Sequence, residues 1–146
     1  MANAPQPRQA RADEAPAIAR LIDAAYQPYR DARIALPDVS GGVPDAIAAN
    51  QFWVLEDKNL LGFLMLTLTP PQAHLMNVAV APTARGRGIG GQLIRFAIAQ
   101  ATAAGCAEIA LATHAEMPEN VTLYERYGWQ ICAREDVRIR MLRKLT

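Results

Sequence analysis

The chain has 146 residues, of which 51% are hydrophobic, and this length and composition are typical of one folded domain. Its 15 basic and 14 acidic residues leave a formal net charge of +1, which argues against a dedicated nucleic-acid-binding protein. No apolar run approaches the roughly 20 residues that span a bilayer, and residues 1–8 lack the apolar core of a signal peptide. We therefore expect a disordered tail over residues 1–8, a single domain over residues 9–146, no membrane or nucleic-acid partner, and a cytoplasmic location.

Hydrophobic periodicity predicts a chain that mixes helices and strands. Apolar residues at helical spacing predict helices, and short apolar runs between turn residues predict strands. The predicted elements are, in order, a strand over 9–12, a helix over 13–30, a short helix over 44–50, strands over 52–56, 60–69 and 73–81, a helix from the glycine-rich loop to about 104, a strand over 108–113, a short helix over 120–127, and strands over 129–133 and 135–143. Residues 31–43 are expected to be irregular.

Individual residues mark the expected ends of the helices. Asp13 is placed to cap the first helix, and Pro16 suits its first turn. Gly105 is the expected stop of the long helix. These signals bound the helices independently of the apolar pattern.

The order of the elements predicts how the strands pair. A turn at 57–59 joins two strands into a hairpin, which makes them antiparallel. The strands at 73–81 and 108–113 enclose the long helix, so this strand–helix–strand unit should make them parallel. In the strand at 135–143 apolar residues alternate with arginines, as in a half-buried antiparallel strand. We therefore predict a mixed, mostly antiparallel sheet with one parallel crossover.

The two cysteines carry no evident chemistry. Cys106 and Cys132 lie in apolar segments, and we expect both to be buried thiols in a reducing compartment. Neither has a histidine beside it in the sequence, which argues against a cysteine nucleophile. The chain has no C-x-x-C pair and no cluster of His and Cys, so no metal site is expected.

The most informative segment is a glycine-rich loop that leads into the long helix. Glycine in a helix interior costs roughly 1 kcal/mol relative to alanine, so three glycines in a first turn need a reason. A phosphate that must reach backbone N–H groups at the positive end of a helix supplies one, and arginines would add charge-assisted hydrogen bonds. The expected phosphate-binding residues are Arg85, Gly86, Arg87, Gly88, Ile89, Gly90 and Gly91.

Other interpretations of this loop fit less well. The spacing of Gly86, Gly88 and Gly91 satisfies the dinucleotide fingerprint, but five residues separate the first glycine from its strand, and a hairpin precedes the unit. A P-loop would need Lys where Gln92 stands. A glycine-rich turn with solvated arginines remains the alternative without a ligand.

Two segments resemble the GNAT superfamily of N-acetyltransferases. The pattern Arg85-x-x-Gly88-x-Gly90, preceded by Val80-x-Pro82, resembles its acyl-CoA pyrophosphate loop, and residues 120–129 resemble its Asn-x-x-Ala-x-x-Leu-Tyr-x-x-x-Gly-Phe region. The resemblance implies the α/β GNAT fold, in which helices flank the sheet and a parallel strand pair splays around the cofactor. It implies acetyl transfer from acetyl-CoA, without a metal, directly to a primary amine of a small molecule or protein.

The same resemblance implies roles for particular residues. The backbone of Val78, Ala79 and Val80 would contact the pantetheine arm, and an N–H near the last two would polarise the thioester carbonyl. Tyr124 matches the tyrosine that donates a proton to the leaving thiolate. Asn120 would either contact CoA or act as the N-cap of its helix.

The general base is not evident from the sequence. Asn77 stands where many relatives carry a strand glutamate, and an amide takes no proton at neutral pH, although it can order a water molecule that does. Glu116 and His114 are alternatives, and His74 is expected to lie too far away. A water relay with no single base also stays open.

The expected acceptor pocket lies on the first helix and the loop after it. Tyr26, Tyr29 and Arg30 are the candidate substrate contacts there, with His114 as a further one. A non-catalytic acyl-CoA-binding sensor or regulatory module is the alternative function, because the strand glutamate is missing. A homodimer that pairs the strand at 135–143 across its interface is also considered.

Overall fold

The computed structural model describes residues 5–32 and 42–145, except for the side chain of Arg30. Most of the stretch predicted to be irregular therefore lies outside the described residues, as do the first four residues of the predicted tail. The described helices are α1 (Ala15–Asp31), α2 (Val43–Ala48), α3 (Ile89–Ala103) and α4 (Pro118–Arg126). The described strands are β1 (Arg8–Gln9), β2 (Phe52–Asp57), β3 (Asn59–Thr69), β4 (Gln72–Val80), β5 (Glu108–His114), β6 (Gln130–Glu135) and β7 (Arg138–Lys144).

The seven strands form one mixed sheet flanked by helices, in the order β1-β2-β3-β4-β5-β7-β6. The pairs β1–β2, β2–β3, β5–β7 and β6–β7 are antiparallel, whereas β4 and β5 run parallel on either side of the α3 crossover. The predicted fold class, a mixed and mostly antiparallel sheet with one parallel pair, is therefore confirmed.

The described residues fall into two compact units, and the first comprises Met1–Met65 and Asn77–Leu93. Its core includes Ile18 and Ile22 of α1, which are fully buried. Phe52 and Phe63 stack with their ring centroids 5.3 Å apart. Burial of aromatic rings of this size is a main source of hydrophobic stabilisation in a domain of this length.

The second unit comprises Leu66–Met76 and Ile94–Thr146. Trp129 is 1% exposed and donates a hydrogen bond from Nε1 to the carbonyl of Ile109 on β5, at 3.1 Å. Ile109 and Met141 are fully buried in the same unit. Trp129 therefore combines apolar burial with a satisfied ring N–H, which fixes the chain after α4 against the central strand of this unit.

The start of α1 differs from the prediction. A 3-10 turn over Ala12–Glu14 precedes the helix, and its N-cap is Arg11 rather than Asp13. Asp13 lies inside this turn and therefore does not cap the helix, and the Glu14 carboxylate accepts the backbone N–H of Arg11 at 2.8 Å. The first strand is correspondingly short and ends at Gln9.

The C-terminal hairpin also corrects three expectations. Val137 lies in the turn before β7, follows the positive-φ residue Asp136 and is 44% exposed, so it does not belong to the alternating strand. Both edges of β7 are paired within the chain, which removes the predicted backbone pairing across a dimer interface. Cys132 is exposed, because the register shifts between Ile131 and Ala133 on the terminal strand of the sheet, whereas Cys106 is buried.

Candidate active site

The loop between β4 and α3 owes its shape to two glycines with positive φ. After β4 a 3-10 turn spans Pro82–Ala84, and α3 begins at Ile89. Gly86 has φ of +81° and Gly88 has φ of +76°, and no atom lies within 4 Å of where a Cβ would stand on either. The backbone conformation, and not crowding, therefore requires glycine at these two positions.

The first turn of α3 presents unsatisfied donors. Its first backbone hydrogen bond runs from the Gln92 N–H to the Gly88 carbonyl at 3.1 Å. Among the described residues, no backbone carbonyl accepts from the N–H groups of Ile89, Gly90 or Gly91, as expected for the start of a helix. These three donors lie at the positive end of the helix dipole, which makes the turn suitable for an anion.

The surroundings of Gly90 indicate how much free space lies beside these N–H groups. A Cβ on Gly90 would meet only the Cγ2 atom of Val80, at an ordinary contact distance of 3.7 Å. The protein itself therefore has room for alanine there, although glycine is found. A phosphate bound to these N–H groups would be obstructed by a methyl group, which gives a physical reason for glycine at this position.

The two arginines of the loop are exposed, and one of them contacts α1. The Arg85 Nη2 group donates to the Ala25 carbonyl at 3.5 Å, which ties the loop to the C-terminal half of α1. In the first turn of α3, the Gln92 amide donates to the Pro5 carbonyl at 2.7 Å. The positive charges of Arg85 and Arg87 remain at the surface, where both can attract an anion.

The parallel pairing of β4 with β5 is short. It joins Gln72, Ala73 and His74 to Glu108, Ile109 and Ala110 and reaches no further among the described residues, although β4 runs on to Val80. The exposed His74 lies in the paired part. Val78, Ala79 and Val80 are half-buried and lie beyond it, which leaves the part of β4 predicted to contact pantetheine without this neighbour.

Tyr26 of α1 and Asn77 of β4 form a polar pair. The Tyr26 hydroxyl donates a hydrogen bond to Asn77 Oδ1, while Asn77 Nδ2 is buried and has no hydrogen-bond partner among the described residues. Burial raises the pKa of Tyr26 to about 12, against the opposing effect of its hydrogen bond to Asn77. Tyr26 therefore stays protonated at neutral pH and acts as a donor toward the amide.

The other two residues predicted on α1 lie close to Tyr26 in the sequence. The ring of Tyr29 lies 6.2 Å from the Tyr26 ring, centroid to centroid, with a tilt of 49° between the planes. Arg30 lies in the last turn of α1, but its side chain is outside the described residues. The helix thus presents two neighbouring aromatic rings, a common environment for an amine or ammonium group.

Tyr124 is buried in the second unit and packs on Trp129. The two rings meet edge to face, with centroids 5.8 Å apart and planes at 63°. Tyr124 is 8% exposed, and its carbonyl accepts the N–H of Trp129 at 3.1 Å. Because Trp129 is itself bound to β5, the Tyr124 ring has a fixed orientation.

Asn120 does not cap its helix. α4 begins two residues earlier at Pro118, whose missing N–H suits a first helical position, and the N-cap is Met117. The Asn120 amide donates to the Thr113 hydroxyl of β5 at 3.4 Å. The N-cap alternative is therefore wrong, and the predicted contact with CoA remains a prediction.

His114 and Glu116 lie together at the end of β5. The Glu116 backbone N–H donates to His114 Nδ1 at 3.0 Å, so this nitrogen acts as an acceptor. In the neutral imidazole the proton then resides on Nε2, which makes that nitrogen a donor and not a base. The Glu116 side chain is exposed in the turn after β5.

Two features of the first unit were not predicted from the sequence. Glu14 is 8% exposed and binds the Arg8 guanidinium through two hydrogen bonds of 2.8 and 2.9 Å. Gly62 lies buried inside β3, where an isolated glycine in a strand pattern is a known signal of close approach by another segment. That signal was available in the sequence, whereas the partner of Glu14 was not.

The described residues show no signs of a metal site or a membrane span. Within residues 5–32 and 42–145, no group of three or more His, Cys, Asp or Glu side chains is arranged to hold a metal ion. No helix in the same ranges is both long enough and apolar enough to cross a membrane.

Residues 17–129 match the acetyltransferase (GNAT) family, and the chain belongs to this family. The predicted family and its acyltransferase activity are thereby confirmed. No curated protein sequence is significantly similar to the chain.

Several solved structures share the fold at low sequence identity. A PaiA N-acetyltransferase from Thermoplasma acidophilum, crystallised with coenzyme A, superposes with a TM-score of 0.81 at 16% identity, over 97% of this chain and 99% of that one. A GNAT-family acetyltransferase from Listeria monocytogenes gives 0.82 at 15% identity, over 97% and 95%. The YncA putative acetyltransferase from Salmonella typhimurium, crystallised with acetyl-CoA, gives 0.77 at 16% identity, over 99% and 95%.

Proposed function

We propose that this protein transfers an acetyl group from acetyl-CoA to a primary amine of a small molecule or a protein. The observation that carries the proposal is the first turn of α3, where the amides of Ile89, Gly90 and Gly91 donate to no backbone carbonyl of the described residues and Gly90 leaves open space. A diphosphate is the part of coenzyme A that such a turn binds best. Bound acetyl-CoA supplies an activated thioester carbonyl and a thiolate leaving group.

The glycine-rich loop would hold the diphosphate. The backbone N–H groups from Arg85 to Gly91 are the proposed donors, and Arg85 and Arg87 add positive charge. The strand segment Val78–Val80 would pair with the pantetheine arm, as an added strand pairs with an open edge. A backbone N–H of Ala79 or Val80 would stabilise the negative charge that develops on the thioester oxygen.

Tyr124 is proposed to protonate the leaving thiolate. A thiol with a pKa near 8.5 leaves more readily when a positioned acid supplies its proton. The edge-to-face contact with Trp129 supports the proposal, because it holds the Tyr124 ring in a single orientation. Asn120, one helical turn earlier on α4, is proposed as a contact to CoA.

The acceptor amine must lose a proton before it attacks. A typical alkyl amine has a pKa of about 10.4, so a base or a water molecule must accept that proton. Asn77 takes no proton itself, and we propose that it orders a water molecule or the acceptor through its amide. Glu116 is the remaining side-chain candidate for the general base, because His114 already uses Nδ1 as a hydrogen-bond acceptor.

The acceptor is proposed to bind beside the C-terminal half of α1. The adjacent rings of Tyr26 and Tyr29 offer aromatic faces to an amine, with Arg30 and His114 as further contacts. Whether the amine belongs to a small molecule or to a protein is decided by the size of the acceptors that react.

The proposal is tested by a thiol-release assay with purified protein and acetyl-CoA against a panel of primary amines. The panel should contain amino acids, a polyamine, an aminoglycoside and peptides with free N-termini. Thiol release that depends on the amine, with a mass increase of one acetyl group on the amine, is the expected result. Saturable binding of acetyl-CoA without turnover on any amine would instead identify a binding module.

A further inference from the structure

Gly62 is a buried glycine in the middle of β3, and a side chain on it would collide with three atoms. The Ala79 carbonyl oxygen lies 2.9 Å from where its Cβ would stand, Leu93 Cδ1 lies 3.1 Å away and Ile89 Cγ2 lies 3.3 Å away. A carbon atom and a carbonyl oxygen ordinarily approach to about 3.3–3.6 Å, and two carbons to about 3.5–4.0 Å. Because Gly62 has no side chain, these three atoms occupy the space beside its Cα where a Cβ would stand. We call this space the hollow at Gly62.

The three atoms belong to the segments on either side of the glycine-rich loop. Ala79 lies just before the loop on β4, and Ile89 is the first residue of α3 after it. Leu93 follows one turn later on α3 and is fully buried. The hollow at Gly62 thus holds the end of one segment and the start of the other at a fixed distance from β3.

A Cβ at this position has few ways to be accommodated. The Ala79 oxygen is a backbone atom and cannot rotate away, and β4 is bound to β3 next to the hollow through the Ala81 N–H and the Leu61 carbonyl, at 2.8 Å. The displacement would therefore fall largely on the first turn of α3. Close-packed interiors transmit such displacements and do not absorb them locally.

We propose that Gly62 is a positioning residue for the cofactor diphosphate, an inference that rests on the function proposed above. The amides of Ile89, Gly90 and Gly91 move with the first turn of α3, so the hollow sets their position relative to β4. Gly62 contributes no group of its own to the ligand. Its effect on coenzyme A binding is exerted through Ile89 at the start of α3.

The test compares Gly62→Ala with the control variant Gly105→Ala. Gly105 has φ of +85° with no atom within 4 Å of its Cβ position, so alanine strains the backbone there at a site remote in sequence from the loop. Both variants are titrated with coenzyme A by calorimetry in sucrose, which favours the folded state, and circular dichroism verifies folding. We expect the Kd to rise about ten- to one-hundred-fold in Gly62→Ala, and to stay within about twofold of the wild type in Gly105→Ala.

A second readout separates positioning from a loss of stability. S-acetyl-N-acetylcysteamine is a thioester without a diphosphate, so it does not use the amides of the α3 turn. Gly62→Ala should lower kcat/KM for acetyl-CoA and leave kcat/KM for this short thioester unchanged. A purely structural defect would lower both.

Three other outcomes would overturn either this inference or the proposed function. Equal affinity for coenzyme A in Gly62→Ala and the wild type, or a Gly62→Ala chain that fails to fold in sucrose, overturns the positioning role alone. A wild-type chain that does not bind coenzyme A overturns the proposed function and this inference together.

Discussion

The hydroxyl of Tyr26 donates a hydrogen bond to Oδ1 of Asn77, whereas Nδ2 of the same amide is buried and has no partner within the described part of the chain. The pKa of Tyr26 is raised to about 12 by burial, so its proton remains in place throughout the pH range of an enzyme assay. Neither residue of the pair can therefore accept the proton of an attacking amine. Their arrangement suits hydrogen bonding to a water molecule or an acceptor, in agreement with the role proposed for Asn77.

The first prediction concerns the stability of this pair. Tyr26→Phe leaves both polar atoms of Asn77 without a partner and should lower the free energy of unfolding by about 1–3 kcal/mol. The double variant Tyr26→Phe/Asn77→Leu removes every unsatisfied group and should be more stable than Tyr26→Phe alone. Urea denaturation of the wild type, both single variants and the double variant measures the coupling. Additive effects of the two substitutions would show that the residues do not act as a pair.

The second prediction concerns Tyr124. Tyr124→Phe removes the proposed acid but keeps the ring that packs on Trp129, so kcat should fall about 100-fold while affinity for coenzyme A and stability stay close to wild type. Tyr127→Phe is the matched control on the residue that follows the same helix, where the hydroxyl accepts a hydrogen bond from the exposed Arg95 side chain at 3.5 Å. Steady-state kinetics of the two variants decide the matter, and an undiminished kcat in Tyr124→Phe would exclude it as the acid.

The third prediction separates the two kinds of glycine in the loop. Gly90→Ala fits the protein, because its Cβ meets only Val80 at 3.7 Å, and should leave stability unchanged or raise it by up to about 1 kcal/mol. The same methyl group should nevertheless weaken the binding of coenzyme A, since it occupies the space beside the orphan amides. Gly88→Ala is the contrasting variant, because its φ of +76° should cost about 1–2 kcal/mol. Thermal unfolding with and without coenzyme A measures both effects, and full ligand affinity in Gly90→Ala would contradict the proposed phosphate site.

The fourth prediction concerns acid stability. The hydrogen bonds from Arg8 hold the pKa of Glu14 at about 2, below its ordinary value, although burial opposes them. A carboxylate with a lowered pKa stabilises the fold above its unfolded pKa, and that stabilisation is lost as the pH falls from about 5 to 2. The shift corresponds to about 3 kcal/mol, and Glu14→Gln should lack this part of the pH dependence. Unfolding free energies of the two chains should therefore converge toward pH 2, and a constant difference between pH 7 and pH 2 would contradict the assignment.

The sequence predicted the elements whose signals are local. The glycine-rich loop could be identified because its glycines and the helix after it are adjacent in the chain, and the parallel pair followed from the order of strand, helix and strand. The start of α4 was misplaced because Pro118 provides the first helical position before Asn120. Cys132 was expected to be buried because its segment is apolar, but only the register shift on β6 decides which way it faces.

The candidate site was less accessible to sequence analysis because its contacts are not local. Tyr26 and Asn77 are 51 residues apart, and nothing in either segment indicates that one side chain binds the other. Asp13 is a plausible N-cap by residue type, but it lies inside the 3-10 turn that begins after Arg11, where the Glu14 carboxylate accepts the Arg11 N–H. The hollow at Gly62 had a signal in the sequence, a lone glycine in a strand, but not the identity of the atoms that fill it.

The proposed diphosphate site is tested most directly by a calorimetric titration of the wild-type chain with coenzyme A, with S-acetyl-N-acetylcysteamine as the comparison ligand. We expect saturable binding of coenzyme A at submillimolar concentration and far weaker binding of S-acetyl-N-acetylcysteamine, because the first turn of α3 holds the diphosphate. The absence of saturable heat at millimolar coenzyme A would contradict the account, as would equal affinity for the two ligands.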